Sequence, residues 1–246
     1  MKKIAFFICI LLSCQVVQAQ ERITEVVAVG PSWESLTNRD GTGLYHEILN
    51  EVFALYDIKV RREYVPSERA YDLVRDGRAD FMTCHDLVSK PLVLARHPMF
   101  EGTYFVFFKK ANIGTWKGDE TLIDRTVAWR IGYYDQRNFP VRVEPKEVKT
   151  GEAALSMVIL DRVDFYVDDM SFIETSIKNS TISFVPEEYD TKPVGRRTYH
   201  PVFSDSERGR TVMKLYDEGM ETLYRNGELT KIFSRWGYAM PHYDVQ

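Results

Sequence analysis

The chain is poor in cysteine, short of long apolar runs and without an excess of positive charge. Each shortage excludes a class of protein. Three cysteines in 246 residues are too few for a scaffold built on disulfides. A formal net charge of −4 offers no basic face to displace counterions, which excludes an electrostatic nucleic-acid binder. With 14 glycines and 10 prolines there is neither a collagen repeat nor a Pro- or Ser-rich linker, and no repeat of solenoid period occurs. What the chain does contain is 44% hydrophobic and 13% aromatic residues, enough for a sizeable core in one or two domains.

The opening apolar run, Ile4 to Leu12, is too short to span a bilayer, which needs about 20 apolar residues. Lys2 and Lys3 precede it and Val17-Gln18-Ala19 follows, the three-part pattern of a signal peptide over residues 1–19. Leu11-Leu12-Ser13-Cys14 also resembles a lipobox, in which Cys14 would carry lipid and become the N-terminus. Cleavage after Ala19 is preferred. It removes two lysines, taking the formal charge from −4 to −6, and removes Cys9 and Cys14, leaving Cys84 alone. The expected location is the periplasm, with a lipid-anchored form if Cys14 is used.

The body alternates strand and helix patterns. Ile23 to Gly30 reads as a strand ending in the turn Gly30-Pro31-Ser32. Leu44, Ile48, Leu49, Val52, Phe53 and Tyr56 have helical spacing, Ile58 to Tyr64 alternates, a short helix opens at Ser67 or Glu68, and Ala79 to Thr83 is the next strand. This β-α-β-α-β order implies a parallel sheet, whose ligands sit at the carboxyl ends of the strands. A second unit follows: strands Tyr104 to Lys109, Thr126 to Ile131 and Val163 to Val167, with a helix from Gly151 to Asp161. The chain then passes Lys192-Pro193 into a strand Tyr199 to Phe203 and two amphipathic helices, Glu207 to Arg225 and Glu228 to Trp236.

An ordered set of short motifs carries a resemblance. Trp33-Glu34-Ser35, Asp40-Gly41-Thr42-Gly43, Arg69-Ala70 and Gly77-Arg78-Ala79-Asp80 come first. Trp116-Lys117-Gly118, Leu122 to Val127 with Gly132, and Leu160-Asp161-Arg162-Val163-Asp164 follow. Gly219-Met220, Leu223, Gly227-Glu228-Leu229 and Trp236-Gly237 close the series. Together they resemble the extracellular solute-binding proteins of family 3, the periplasmic receptors of polar amino-acid ABC transporters. The resemblance implies an α/β two-lobe clamshell of the type II periplasmic-binding-protein kind, each lobe a mainly parallel sheet flanked by helices, with two hinge crossings. Lobe 1 would comprise residues 22–107 plus 195–246 and lobe 2 residues 108–194.

The resemblance also directs attention to particular side chains as ligand-binding candidates: Trp33, Glu34, Arg69, Cys84, His85, Asp86, Tyr133, Asp168 and Asp169. Trp33 matches an aromatic that packs on ligand, and it also suits a lobe-packing role. His85, in Thr83-Cys84-His85-Asp86, is a hydrogen-bonding candidate or a satisfied loop histidine. Cys84 reads as a small buried residue rather than a nucleophile, and His85-Asp86 lacks the spacing of a metal site. Asp169 aligns with the carboxylate that meets a ligand ammonium, the alternative for this pair being a helix N-cap. One departure stands out. The arginine that grips an α-carboxylate is missing, since Val88-Ser89-Lys90-Pro91 occupies its place; Lys90, Arg96 and Arg69 are the nearest substitutes. Tyr133 likewise stands where a small hydroxyl residue is usual.

The function implied is capture of a small polar or zwitterionic, amino-acid-like solute and delivery to an ABC permease, by a monomer that is not an enzyme and uses no cofactor or metal. The alternatives are a dehydratase-like enzyme on the same scaffold and a ligand sensor that signals to a membrane receptor.

Overall fold

The computed structural model describes residues 22–243, so the signal-peptide pattern and Cys14 lie outside the described residues. In chain order the elements are β1 (Glu25–Gly30), α1 (Leu44–Ala54), β2 (Lys59–Tyr64), α2 (Ser67–Arg75), β3 (Phe81–His85), β4 (Leu92–Leu94) and β5 (Phe100–Lys109). Then come α3 (Lys110–Ile113), β6 (Thr126–Arg130), β7 (Glu144–Val148), α4 (Gly151–Ile159), β8 (Phe165–Asp169), α5 (Met170–Lys178), β9 (Tyr189–Ser204), α6 (Glu207–Arg225) and α7 (Glu228–Trp236).

Two parallel sets of strands are joined through one shared strand. β1 lies between β2 and β3, parallel to both, and β6 lies between β7 and β8, parallel to both. β9 connects the sets. Its first part pairs antiparallel with all of β5, from Tyr189 opposite Lys109 to Tyr199 opposite Phe100. From His200 onward it pairs with β3 and β4 instead. The two halves are thus the lobes of the periplasmic-binding-protein fold.

Each half has its own core. In the first, α1 turns Leu44, Ile48, Leu49, Val52 and Phe53 inward, as their spacing requires, and Phe53 stacks on Phe81 of β3 at 5.7 Å between centroids. Burying such a side chain contributes roughly 1.5–3 kcal/mol. Asp80 ties this half together, accepting from the Val27 backbone N–H at 2.7 Å and from Arg208 of α6 at 2.6 Å. In the second, Phe108, Trp129 and Phe165 pack on one sheet face while Ala154, Leu155 and Val158 of α4 cover the other. α4 is capped by Thr150, whose hydroxyl accepts from Ala153, and α6 by Ser206, which accepts from Gly209.

Four strands differ from the sequence expectation. β9 is one strand of 16 residues, not a short strand after a break at Lys192-Pro193. Pro193 is tolerated because Tyr104 opposes Gly195 while Phe105 opposes Pro193, leaving Val194 as a bulge where ladder bonding is already interrupted. β8 continues past Val167 through Asp168 and Asp169, which pair with Phe105 and Tyr104. The short strands β4 and β7 carry too little alternation to be read beforehand.

Candidate functional site

The carboxyl ends of four parallel strands converge on a single cavity between the two halves. Past β1 the chain supplies Trp33, and β3 ends in Cys84 and His85 with Asp86 next. From the other half, the turn after β6 supplies Gly132 and Tyr133, and the end of β8 supplies Asp169, with Phe172 one turn into α5. The paired strands β5 and β9 close the back with Phe100, Arg197 and Tyr199. The cavity is narrow, about 50 Å³, and its wall is dominated by aromatic rings. This is where an open parallel sheet presents ligands.

The halves touch across it. The Trp33 indole N–H donates to the Tyr133 hydroxyl at 2.9 Å, and His85 Nε2 lies 3.0 Å from the Gly132 carbonyl. The Leu87 amide lies 3.0 Å from His85 Nδ1, and an Asp86 carboxylate oxygen stands 3.1 Å from the same nitrogen. Asn138 donates to Asp86 at 2.6 Å, a further contact between halves.

Charges in the cleft are strongly coupled. Arg197, only 7% exposed at its side chain, donates through Nε to the Tyr199 hydroxyl at 2.5 Å and through Nη1 to the Tyr133 carbonyl at 2.8 Å. Asp86 stands 3.5 Å from it. Burial works to raise the Asp86 carboxyl, but the neighbouring His85 ring and Arg197 outweigh it and leave the group below its usual range. Asp169 goes the other way: burial raises it to about 6, with Arg197 pulling against that shift and Asp168 adding to it. The Tyr199 hydroxyl donates to Asp169 at 2.9 Å. Asp169 occupies the N-cap position of α5 without capping it through its side chain, so its carboxylate belongs to the cleft. Burial pushes the Cys84 thiol up to about 12, which keeps it protonated and unreactive at neutral pH.

Of the residues singled out beforehand, Trp33, Cys84, His85, Asp86, Tyr133 and Asp169 line this cavity. Asp168 does not. Its carboxylate is 1% exposed and gripped by Arg130 in two parallel bonds of 2.9 and 3.0 Å. Glu34 is exposed beside an adjoining groove that also holds Arg130 and Thr103, and Arg69 is exposed outside the cavity wall. Lys90 lines a separate groove and Arg96 pairs with Glu221, so neither of these substitutes for the missing arginine reaches the cavity. Sequence reasoning missed Arg197, Tyr199, Tyr45, Phe100 and Phe172. The adjacent Arg196-Arg197 pair just beyond Gly195 was the available signal.

No family model matches the chain and no curated protein matches it. Solved structures do. An amino-acid ABC transporter substrate-binding protein, AbpA of Streptococcus pneumoniae bound to L-arginine, superposes with a TM-score of 0.62 at 12% identity, over 87% of this chain and 94% of that one. A histidine kinase sensor domain with similarity to periplasmic binding proteins gives 0.67 at 15% identity, over 90% and 100%. An ancestral amino-acid-binding protein, described as a precursor of cyclohexadienyl dehydratase, gives 0.60 at 15% identity, over 87% and 95%. These likenesses define the class by its fold: a two-lobe periplasmic-binding-protein clamshell. Among the described residues no helix is long and apolar enough to cross a membrane.

Proposed function

We propose that the protein is an exported solute-binding protein that captures a small polar solute bearing an ammonium group and closes around it. The observation that carries this is the convergence of strand ends from both halves on one aromatic cavity containing Asp169. Closing a cleft around a ligand excludes water and strengthens each polar contact inside it. The lobes meet at the crossing where Phe100–Thr103 pairs with Arg196–Tyr199 and with no third strand. That is a few residues from the boundaries at 107/108 and 194/195 drawn from the sequence.

The closed form, released from the signal peptide after Ala19 into the periplasm as a monomer, presents its ligand to an ABC permease. Handing the signal to a membrane sensor is the second reading, and the likeness to a kinase sensor domain supports it. Catalysis is the weaker alternative, because the one cleft thiol, Cys84, is held protonated and His85 is bonded at both ring nitrogens. The test is mass spectrometry of solute released from protein purified from its own periplasm, with small-angle scattering before and after removal of that solute. A released ammonium compound and expansion on its removal are expected; an unchanged scattering profile with no solute released would overturn the assignment.

A further inference from the structure

Resting on the binding role above, we propose that the cleft selects a small organic cation that carries no carboxylate, an alkyl- or arylammonium ion, over an α-amino acid.

The inference follows from how the cleft charges are already partnered. Two guanidiniums and three carboxylates face this region. Arg130 is taken by Asp168, with the Tyr166 hydroxyl completing the carboxylate at 2.9 Å, and its guanidinium lies between the rings of Tyr133 and Phe172 at 3.7 and 4.2 Å. Arg197 is taken by Asp86, the Tyr133 carbonyl and the Tyr199 hydroxyl, and lies against the Tyr134 ring at 4.0 Å. A guanidinium grips a carboxylate through two N–H groups on one edge of its fork. Nε of Arg197 belongs to one such edge and Nη1 to the other, and each already has an acceptor. A ligand carboxylate in the cavity therefore finds no free edge on Arg197. The edge that Arg130 leaves open belongs to the adjoining groove and not to the cavity wall, and the carboxylate would sit beside Asp86 and Asp169.

Asp169 is the remainder. Among the described residues it stands in no ion pair, and its one side-chain donor is the Tyr199 hydroxyl. An ionised carboxylate deep in a cleft and without a cation is costly, and a cation delivered by the ligand removes that cost. The surrounding wall, with Trp33, Tyr45, Phe100 and Tyr199, suits the apolar body of such a ligand, and ring faces attract its charge. A neutral analogue gains the apolar contact and loses the charge pairing. An α-amino acid gains the pairing and loses on its carboxylate.

Matched ligands test this on the purified protein by calorimetry, without any variant that could fail to fold. Benzylamine is compared with phenylglycine and benzyl alcohol, and butylamine with norvaline and butanol, so that each amine is set against its α-carboxylate and its uncharged counterpart. At least one amine is expected to bind about tenfold or more tightly than both of its analogues. An amino acid that equals or exceeds its amine would overturn the selection while leaving the binding role intact, and so would an alcohol that binds as well as the amine. If neither amine binds at millimolar concentration the inference falls, and the mass-spectrometric and scattering test above decides separately whether the binding role falls with it. Asp169→Asn should abolish the preference of amine over alcohol.

Discussion

The indole N–H of Trp33 and the hydroxyl of Tyr133 meet at 2.9 Å across the cleft, one from the turn after β1 and the other from the turn after β6. A bond of this kind exists only when the halves are together. It contributes to closure what a single hydrogen bond contributes to any two-state equilibrium, about 0.5–1.5 kcal/mol.

Tyr133→Phe removes the acceptor and keeps the ring. The closed population should fall by roughly three- to tenfold relative to the open one. Spin labels at the exposed positions Glu51 of α1 and Lys178 of α5, introduced as cysteines, report the separation of the halves. The variant should show a longer-distance population. A distance distribution identical to that of the labelled parent, with and without ligand, would remove this bond from the closing mechanism.

Cys84 should not interfere with such labelling. Its side chain is buried and its thiol is pushed up to about 12, so at neutral pH almost no thiolate exists. A thiol reagent should leave it unmodified in the native protein and react fully after unfolding in denaturant. Rapid modification of the folded protein would show that the cleft opens to Cys84 and that the thiol is not held by burial.

How much of this was legible beforehand depended on whether a single residue offset mattered. The helices α6 and α7 end where the sequence said they would, because long amphipathic repeats and the left-handed glycines Gly227 and Gly237 define their limits. Trp33, His85, Asp86 and Asp169 were candidates through the family resemblance, and the structure places them on the cavity at strand ends, where parallel sheets bind. Arg197 could not be found that way. It lies inside the antiparallel strand β9, where neighbouring side chains point to opposite faces, and a bulge at Val194 shifts the register just before it. Arg196 consequently pairs outside with Glu101 at a side-chain exposure of 70%, while Arg197 turns into the cleft at 7%. Without the bulge position, the two arginines are interchangeable in the sequence. Asp168 and Asp169 pose the same problem one strand away, and there pairing with Arg130 decides which carboxylate is left for the cleft.

Loss of Arg197 should be costly to the fold. Arg197→Gln leaves Asp86 buried without its cation and frees the Tyr133 carbonyl and the Tyr199 hydroxyl. Breaking a buried pair from one side costs about 3–5 kcal/mol. Urea denaturation should show a loss of that order, and Arg197→Lys, which keeps the charge but not the fork, should recover part of it. A loss under about 1 kcal/mol would mean that water or relaxation replaces these contacts.

Asp169→Asn should do the opposite in the ligand-free protein. Burial raises the carboxyl to about 6 from its ordinary 3.8. The groups facing it are Asp168 of β8, Arg197 and Tyr199 of β9, and Arg130 of β6, with Tyr134, Tyr45 and Cys84 around them. Between those two values the folded protein holds a proton that the unfolded chain has released, so this group's contribution to stability falls as pH rises through the window. It is fully favourable below about 3.8 and lost above about 6. Asparagine keeps the shape and carries no charge to desolvate. The variant should therefore match the parent near pH 4 and exceed it by on the order of 1–3 kcal/mol near pH 7.5. Denaturant midpoints across that range measure the difference. If the variant is the less stable protein at the upper end, Asp169 is stabilising in place as a charged group, and its role as a carboxylate held in reserve for a cationic ligand is wrong.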